Sequence, residues 1–180
     1  MKPENSTQKP MSSGIKYLIG IPFITGIAIA LLAPTDVLKY SAFQTINEIA
    51  SYIFPAVRKM KGDYELGEVA KLYFSVMWLM SPLMFIGGYR DMERQAEKVI
   101  PKMREKKLLF LFFFGVFLPA CAILGTVANF ESNDLNDVRT LLTFHSRWGM
   151  PIWGFMIPAG ASVLYAMTAF WIRNFVRIFG

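Results

Sequence analysis

Hydrophobic and polar positions along this chain fall into long blocks, not short periods. Leu72 to Tyr89 and Leu108 to Phe130 contain no charged residue, while the stretch between them runs from Arg90 through Glu97 and Lys98 to Lys107. An α-helix needs about 20 apolar residues to cross about 30 Å of hydrocarbon, so the two blocks predict membrane-spanning helices joined by a charged loop. Tyr17 to Ala33 is a third such block, brought to spanning length by its flanks, and Trp148 to Ile172 is a fourth. Spans are expected at 15–35, 72–89, 108–130 and 148–172, with a loop at 90–107, in a single membrane domain covering 1–180. The predicted fold class is all-α: an integral membrane bundle of four transmembrane helices.

The remaining segments read differently. Met1 to Ser13 is polar, as expected of a disordered tail. Ala28-Ile29-Ala30 has the small-x-small form of a signal-peptidase site. The apolar run continues past it through Leu31, Leu32 and Ala33, which favours a retained first span. In the connection from Asp36 to Lys71, Ser41 and Gln44 have capping-box spacing. Behind them Ala42, Phe43, Ile46, Ile49, Ala50, Ile53, Phe54 and Val57 recur at helical spacing. An amphipathic helix is therefore expected over 42–57, limited by Pro55, lying on the membrane or packed on the other helices. Residues 90–107 predict two short solvated helices broken at Pro101, whose next most natural contact is with anionic lipid headgroups.

Composition agrees with a membrane protein: 54% of the 180 residues are hydrophobic, only 18% are charged, and the mean hydropathy is +0.37. A lone cysteine, Cys121, excludes an intrachain disulfide framework and a cysteine redox pair. The charge is topological. The two tails and the central loop carry three, two and seven Lys and Arg, against five and two in the other two loops. The positive-inside rule then puts both termini and residues 90–107 in the cytoplasm, with the amphipathic helix in the first outward loop. Because the net charge of +6 is spent on orientation, no nucleic-acid partner is expected. The expected location is the inner (plasma) membrane, multi-pass, with the lipid bilayer as partner.

None of the four apolar blocks contains Asp, Glu, Lys, Arg or His; Lys16 stands just before the first, Tyr17 to Ala33. A charge at mid-bilayer costs at least about 2.5–3.5 kcal/mol and is retained chiefly to move ions or protons. Its absence argues against a proton-coupled transporter and a membrane hydrolase; neither an enzyme nor a cofactor is expected. Scattered hydroxyls (Ser75, Ser81, Thr126, Ser162, Thr168) suit bonds to helix carbonyls better than a pore lining. Every span holds a proline, at Pro22, Pro82, Pro119, and both Pro151 and Pro158. Such helices bend, which is ordinary in membranes and would also suit a bundle that receives a partner helix. Gly87, Gly88, Gly115, Gly154 and Gly160 provide small faces for close helix contact, within the chain or in a homo- or hetero-oligomer. The single histidine, His145, lacks the ligands of a metal site and sits beside the interface anchors Arg147 and Trp148. Trp78 and Trp153 lie nearer span interiors, where packing accounts for them.

Two local patterns carry a resemblance. Tyr17-Leu18-Ile19-Gly20-Ile21-Pro22 opens the first span, and Asn129-Phe130-Glu131 followed by Val138-Arg139-Thr140-Leu141 leaves the third. Together with the four-span plan and basic central loop, they resemble the inner-membrane immunity proteins that protect bacteria from their own pore-forming colicins, of the colicin A and B type. After the glutamate this chain has Ser132, Asn133 and Asp134 where that family has Thr-Thr-Ala-Gly. The resemblance implies a non-catalytic protein that binds the membrane-inserting helices of a pore-forming toxin and blocks pore opening. It points to Phe130, Glu131 and Arg139 as toxin-binding residues. An immunity protein against another pore-forming toxin fits the same features. So does a non-catalytic accessory or assembly subunit of a larger membrane complex or transporter.

Overall fold

The computed structural model describes residues 13–60, 65–127 and 146–179, and every regular element among them is helical. Helix α1 spans Ser13–Leu32 and a 3₁₀ turn follows at Val37–Lys39. Helices α2 (Ser41–Ile53) and α3 (Pro55–Arg58) lead to the long α4, Gly67–Arg94. Helix α5 covers Ala96–Glu105. Helix α6, Lys107–Phe112, passes through a π-type turn at Phe113–Phe117 into α7, Leu118–Val127. A second π-type turn, Met150–Gly154, opens α8, Phe155–Arg173, and α9 is the short Phe175–Phe179. Among the described residues, two helical stretches are long and apolar enough to cross a membrane, Gly67–Arg94 and Met150–Arg173; Lys16–Leu32 is apolar but shorter.

Proline explains much of the helix geometry. It has no N–H to return to the carbonyl four residues back, and its ring crowds that carbonyl. Pro119 stands two residues beyond a π-type turn containing Gly115, the residue whose carbonyl it cannot serve; Pro151 lies within the other π-type turn. Widening the turn relieves the clash. Pro22, Pro82, Pro101 and Pro158 instead remain inside α-helices.

Helix α4 is the centre of the bundle, with α1 along one flank, α8 along another, and α2 across its N-terminal half; α7 packs on the far side of α8. Two apolar clusters result. One joins α1, α2, α3, α4 and the start of α8 around the buried Tyr73, Phe74 and Met77. The other gathers Ala96, Ile100 and Met103 of α5 with Leu118, Phe170 and Ile178. The first depends on two close approaches. A β-carbon on Gly26 would lie 3.0 Å from Tyr73 Cε2, and one on Gly154 would lie 3.1 Å from Tyr73 Cε1. The Tyr73 ring is thus held between two glycines on different elements.

Several local expectations change. Ser41 is not a helix cap: Tyr40 occupies that position without a side-chain bond, and Gln44 Nε2 donates to Glu48 Oε1 at 2.9 Å. The amphipathic helix stops at Ile53, because Pro55 begins α3 at a first-turn position, where a missing N–H costs nothing. Its face is divided between both predicted settings. Ala50 is buried, and Asn47 Oδ1 accepts from Ser75 Oγ of α4 at 3.0 Å, whereas Ile49, Tyr52 and Ile53 are exposed. The break expected at Pro101 falls at Gln95 and Lys106. Burial of Ala96, Ile100 and Met103 holds α5 together through its proline, so one face of this segment is packed, not solvated. Trp78 is 2% exposed, as expected, but Trp153 is 50% exposed on the second π-type turn.

Candidate functional site

Residues Trp78, Ser81, Pro82 and Phe85 follow i, i+3, i+4, i+7 spacing and so share one face of α4. Facing them on α8 are Ser162, Tyr165, Ala169 and Ile172. The two helices touch at Ser81 and Ser162 and again at Gly88 and Ala166, and beside that seam the elbow between α2 and α3 (Ile53, Phe54, Pro55) completes the lining. The result is a lateral cleft of about 700 Å³ with a predominantly apolar lining and, among the described residues, no acid, lysine, arginine or histidine in its walls.

The cleft floor is held by backbone-directed hydroxyls. Ser162 Oγ donates to the Pro158 carbonyl at 2.6 Å and lies 3.2 Å from the Ser81 carbonyl across the helix interface. Thr168 Oγ1 donates to the Leu164 carbonyl at 2.9 Å. Phe54 stacks on Trp78 with ring centroids 5.3 Å apart, which fixes the elbow against α4. The buried Trp78 indole N–H finds no acceptor among the described residues, and Pro82 has no N–H to give the Trp78 carbonyl. Chemically, the cleft can pack an apolar surface.

Polar contacts frame the two ends of the bundle. At the α2 end, Arg147 Nη1 donates to the Ala30, Leu31 and Ala33 carbonyls at 3.1, 3.3 and 2.8 Å. A guanidinium at a helix C-terminus satisfies carbonyls that lack intrahelical partners and opposes the negative end of the helix dipole. Glu68 Oε2 accepts from the Leu38 N–H at 2.9 Å and ties the 3₁₀ turn to α4. Next to that turn, a hydrogen bond from Lys39 holds the exposed Asp36 carboxyl below its usual range. At the other end, Arg173 pairs with Glu93 at 2.6 Å, and Tyr89 Oη donates to the same carboxylate at 3.1 Å. That pairing joins the ends of α4 and α8, where the cleft finishes.

The sequence-derived candidates Phe130, Glu131 and Arg139 lie outside the described residues, as does His145. Sequence reasoning did not find the cleft. Its signal was present in the Trp78, Ser81, Pro82, Phe85 stripe, which mixes bulk, hydroxyl and a ring without N–H on one face. Periodicity alone does not distinguish such a stripe from a packed one. Among the described residues, no three His, Cys, Asp or Glu converge as a metal site would require. In comparisons with family models, with curated proteins and with solved structures, nothing matches this chain.

Proposed function

We propose that this chain is a four-span inner-membrane immunity protein, which receives a membrane-inserting helix of a pore-forming toxin in the cleft between α4 and α8. The observation that carries the reading is the cleft: a lateral, uncharged opening of about 700 Å³ between two long apolar helices. Helices in a bilayer gain nothing from leaving water, so they associate through shape, small residues and neutral hydrogen bonds. A toxin helix seated there would be held away from its own pore-forming partners, and no catalytic group is needed.

The four-span topology has support beyond the two long helices. Residues 107–127 are helical without interruption, and Leu108, Leu109, Phe112, Val116, Phe117 and Ile123 on them are exposed. So much aromatic and aliphatic surface suits hydrocarbon and not water. With α1 as the remaining span, both termini and α5 face the cytoplasm by the distribution of Lys and Arg. The periplasmic side then holds α2, α3 and the segment containing Phe130, Glu131 and Arg139, which would meet the toxin before it enters the cleft.

The test is potassium efflux from sensitive bacteria that express the chain, challenged with a panel of pore-forming toxins. Efflux is expected to be suppressed for one toxin, and Ala169→Trp, which fills the cleft, is expected to restore it while the protein remains in the membrane. Protection that survives Ala169→Trp overturns the cleft as the binding site. A resident membrane protein that copurifies from unchallenged cells, and is lost with Ala169→Trp, would replace the toxin with a subunit of a larger complex.

A further inference from the structure

A second cavity, of about 510 Å³, opens between α5 and α9 at the opposite end of the bundle from α2. Ile100 and Pro101 form its apolar side, and Arg104, Glu105 and Arg177 its polar side. The two guanidinium groups are positioned, not free-swinging. Arg104 Nη2 donates to the Arg177 carbonyl at 2.7 Å, which fastens α5 to α9. Arg177 Nη1 donates to Asn174 Oδ1 at 3.1 Å, and Asn174, only 5% exposed, in turn donates to the Phe170 carbonyl at 3.0 Å.

Each guanidinium has five N–H donors in a planar fork, and the bonds above occupy one on each side chain. Neither arginine is neutralised within the cavity, because among the described residues Glu105 forms no ion pair with either. A tethered pair of forks beside an apolar wall matches a phosphate group attached to a less polar body, since Arg binds phosphate oxygens in bidentate fashion. The volume falls within the about 300–1,000 Å³ of small-molecule sites.

We propose that Arg104 and Arg177 form a binding site for a phosphate group, supplied by an anionic phospholipid headgroup or by free phosphate. The lipid source rests on the topology above, which puts α5 at the cytoplasmic leaflet, where anionic lipids concentrate. The site itself rests only on the two arginines and their tethers.

The experiment uses the full chain purified in neutral detergent, titrated with phosphatidylglycerol, phosphatidylcholine or inorganic phosphate at constant ionic strength. Bound lipid is read by native mass spectrometry and stabilisation by thermal melting. Saturable binding of phosphatidylglycerol is expected, weakened at least tenfold in R104Q/R177Q and little changed in K98Q/K102Q, which removes the same charge from positions of α5 that do not line the cavity. R104K/R177K keeps the charge without the fork and guards against misfolding of the glutamine variant; it too is expected to bind more weakly than wild type. Preference for phosphatidylglycerol over inorganic phosphate assigns the lipid source, and the reverse assigns free phosphate. Equal weakening in R104Q/R177Q and K98Q/K102Q, or no binding of either probe by wild type, overturns the site. Toxin protection is a separate readout, so loss of the immunity reading leaves this result standing, and the converse holds too.

Discussion

Helix α4 behaves in two ways along its length. From Val69 to Met77 it is almost wholly buried, with Tyr73 clamped between Gly26 and Gly154. From Trp78 to Phe85 the same helix lines an open cleft. Both stretches are apolar and both face α8 or its leading turn, so hydrophobicity does not separate them. Partner size does. Two glycines let backbones approach the first stretch to van der Waals distance, whereas along the second the helices touch at Ser81 and Ser162, and the larger Trp78, Phe85, Tyr165 and Ile172 line an opening beside that contact. In a bilayer, where apolar surface gains little by contact alone, fit decides which part of a helix is closed.

Filling the tight stretch should have the largest effect. Gly26→Leu or Gly154→Leu would drive a side chain into the Tyr73 ring, and the loss is expected at the upper end of the about 1–3 kcal/mol typical of overpacking. It is read as lowered melting temperature in detergent. Gly160→Leu is the control, since a β-carbon there meets nothing within 4 Å; equal losses at Gly154 and Gly160 would refute the clamp.

Arg147→Ala comes next. It strips three carbonyls at the end of α1 of a charged donor, and hydrogen bonds to charged groups contribute about 1.5–3 kcal/mol each when measured singly. Because one nitrogen serves all three, the expected loss is that of one such bond, about 2 kcal/mol. An unchanged melting temperature would mean that water replaces the guanidinium.

Tyr73→Phe should act in the opposite direction. The Tyr73 hydroxyl is buried and finds no partner among the described residues, and an unsatisfied buried group costs about 1–3 kcal/mol. The variant is expected to melt at a higher temperature by part of that amount; destabilisation would reveal a bound water on the hydroxyl.

In the open stretch, Ser162→Ala removes a hydroxyl that lies between the α8 carbonyl of Pro158 and the α4 carbonyl of Ser81. Hydrogen bonds between membrane helices average about 0.6 kcal/mol, so stability should barely move. A loss as large as that of the clamp variants would show that the cleft is a stressed joint and not a preformed opening. The smallest effect belongs to pH. Asp36 is held below the usual carboxylate range by its hydrogen bond from Lys39, so its contribution is present above the unfolded value and lost as pH falls through the folded one. Because the group is fully exposed, Asp36→Asn is expected to lower the melting temperature only slightly at pH above the unfolded value, and its difference from wild type is expected to vanish as pH falls through the folded one.

Legibility in the sequence tracked the range of the interactions. Block hydrophobicity is local to one helix, so the helices at 67–94 and 150–173 were foreseen within a few residues of their ends. Ser41 and Pro101 misled because capping and helix-breaking rules assume an isolated helix. At Ser41 the chain enters one residue earlier, through Tyr40, and at Pro101 the burial of Ile100 and Met103 outweighs one missing hydrogen bond. Trp153 was placed inside by its position in an apolar run, and the π-type turn rotates it outward. The cleft was illegible because its two walls lie about eighty residues apart, as the contact of Ser162 with Ser81 shows.

By itself, then, the order of residues determined the helical class, the apolar segments long enough to cross a bilayer, and the charge asymmetry that would orient them. These need only the cost of exposing backbone or charge to hydrocarbon, which each segment meets alone. Tertiary structure alone decided where α4 is sealed and where it opens, and that Arg104 and Arg177 share one cavity. Such features arise from the shapes of side chains on distant helices, and only their packing brings those shapes together.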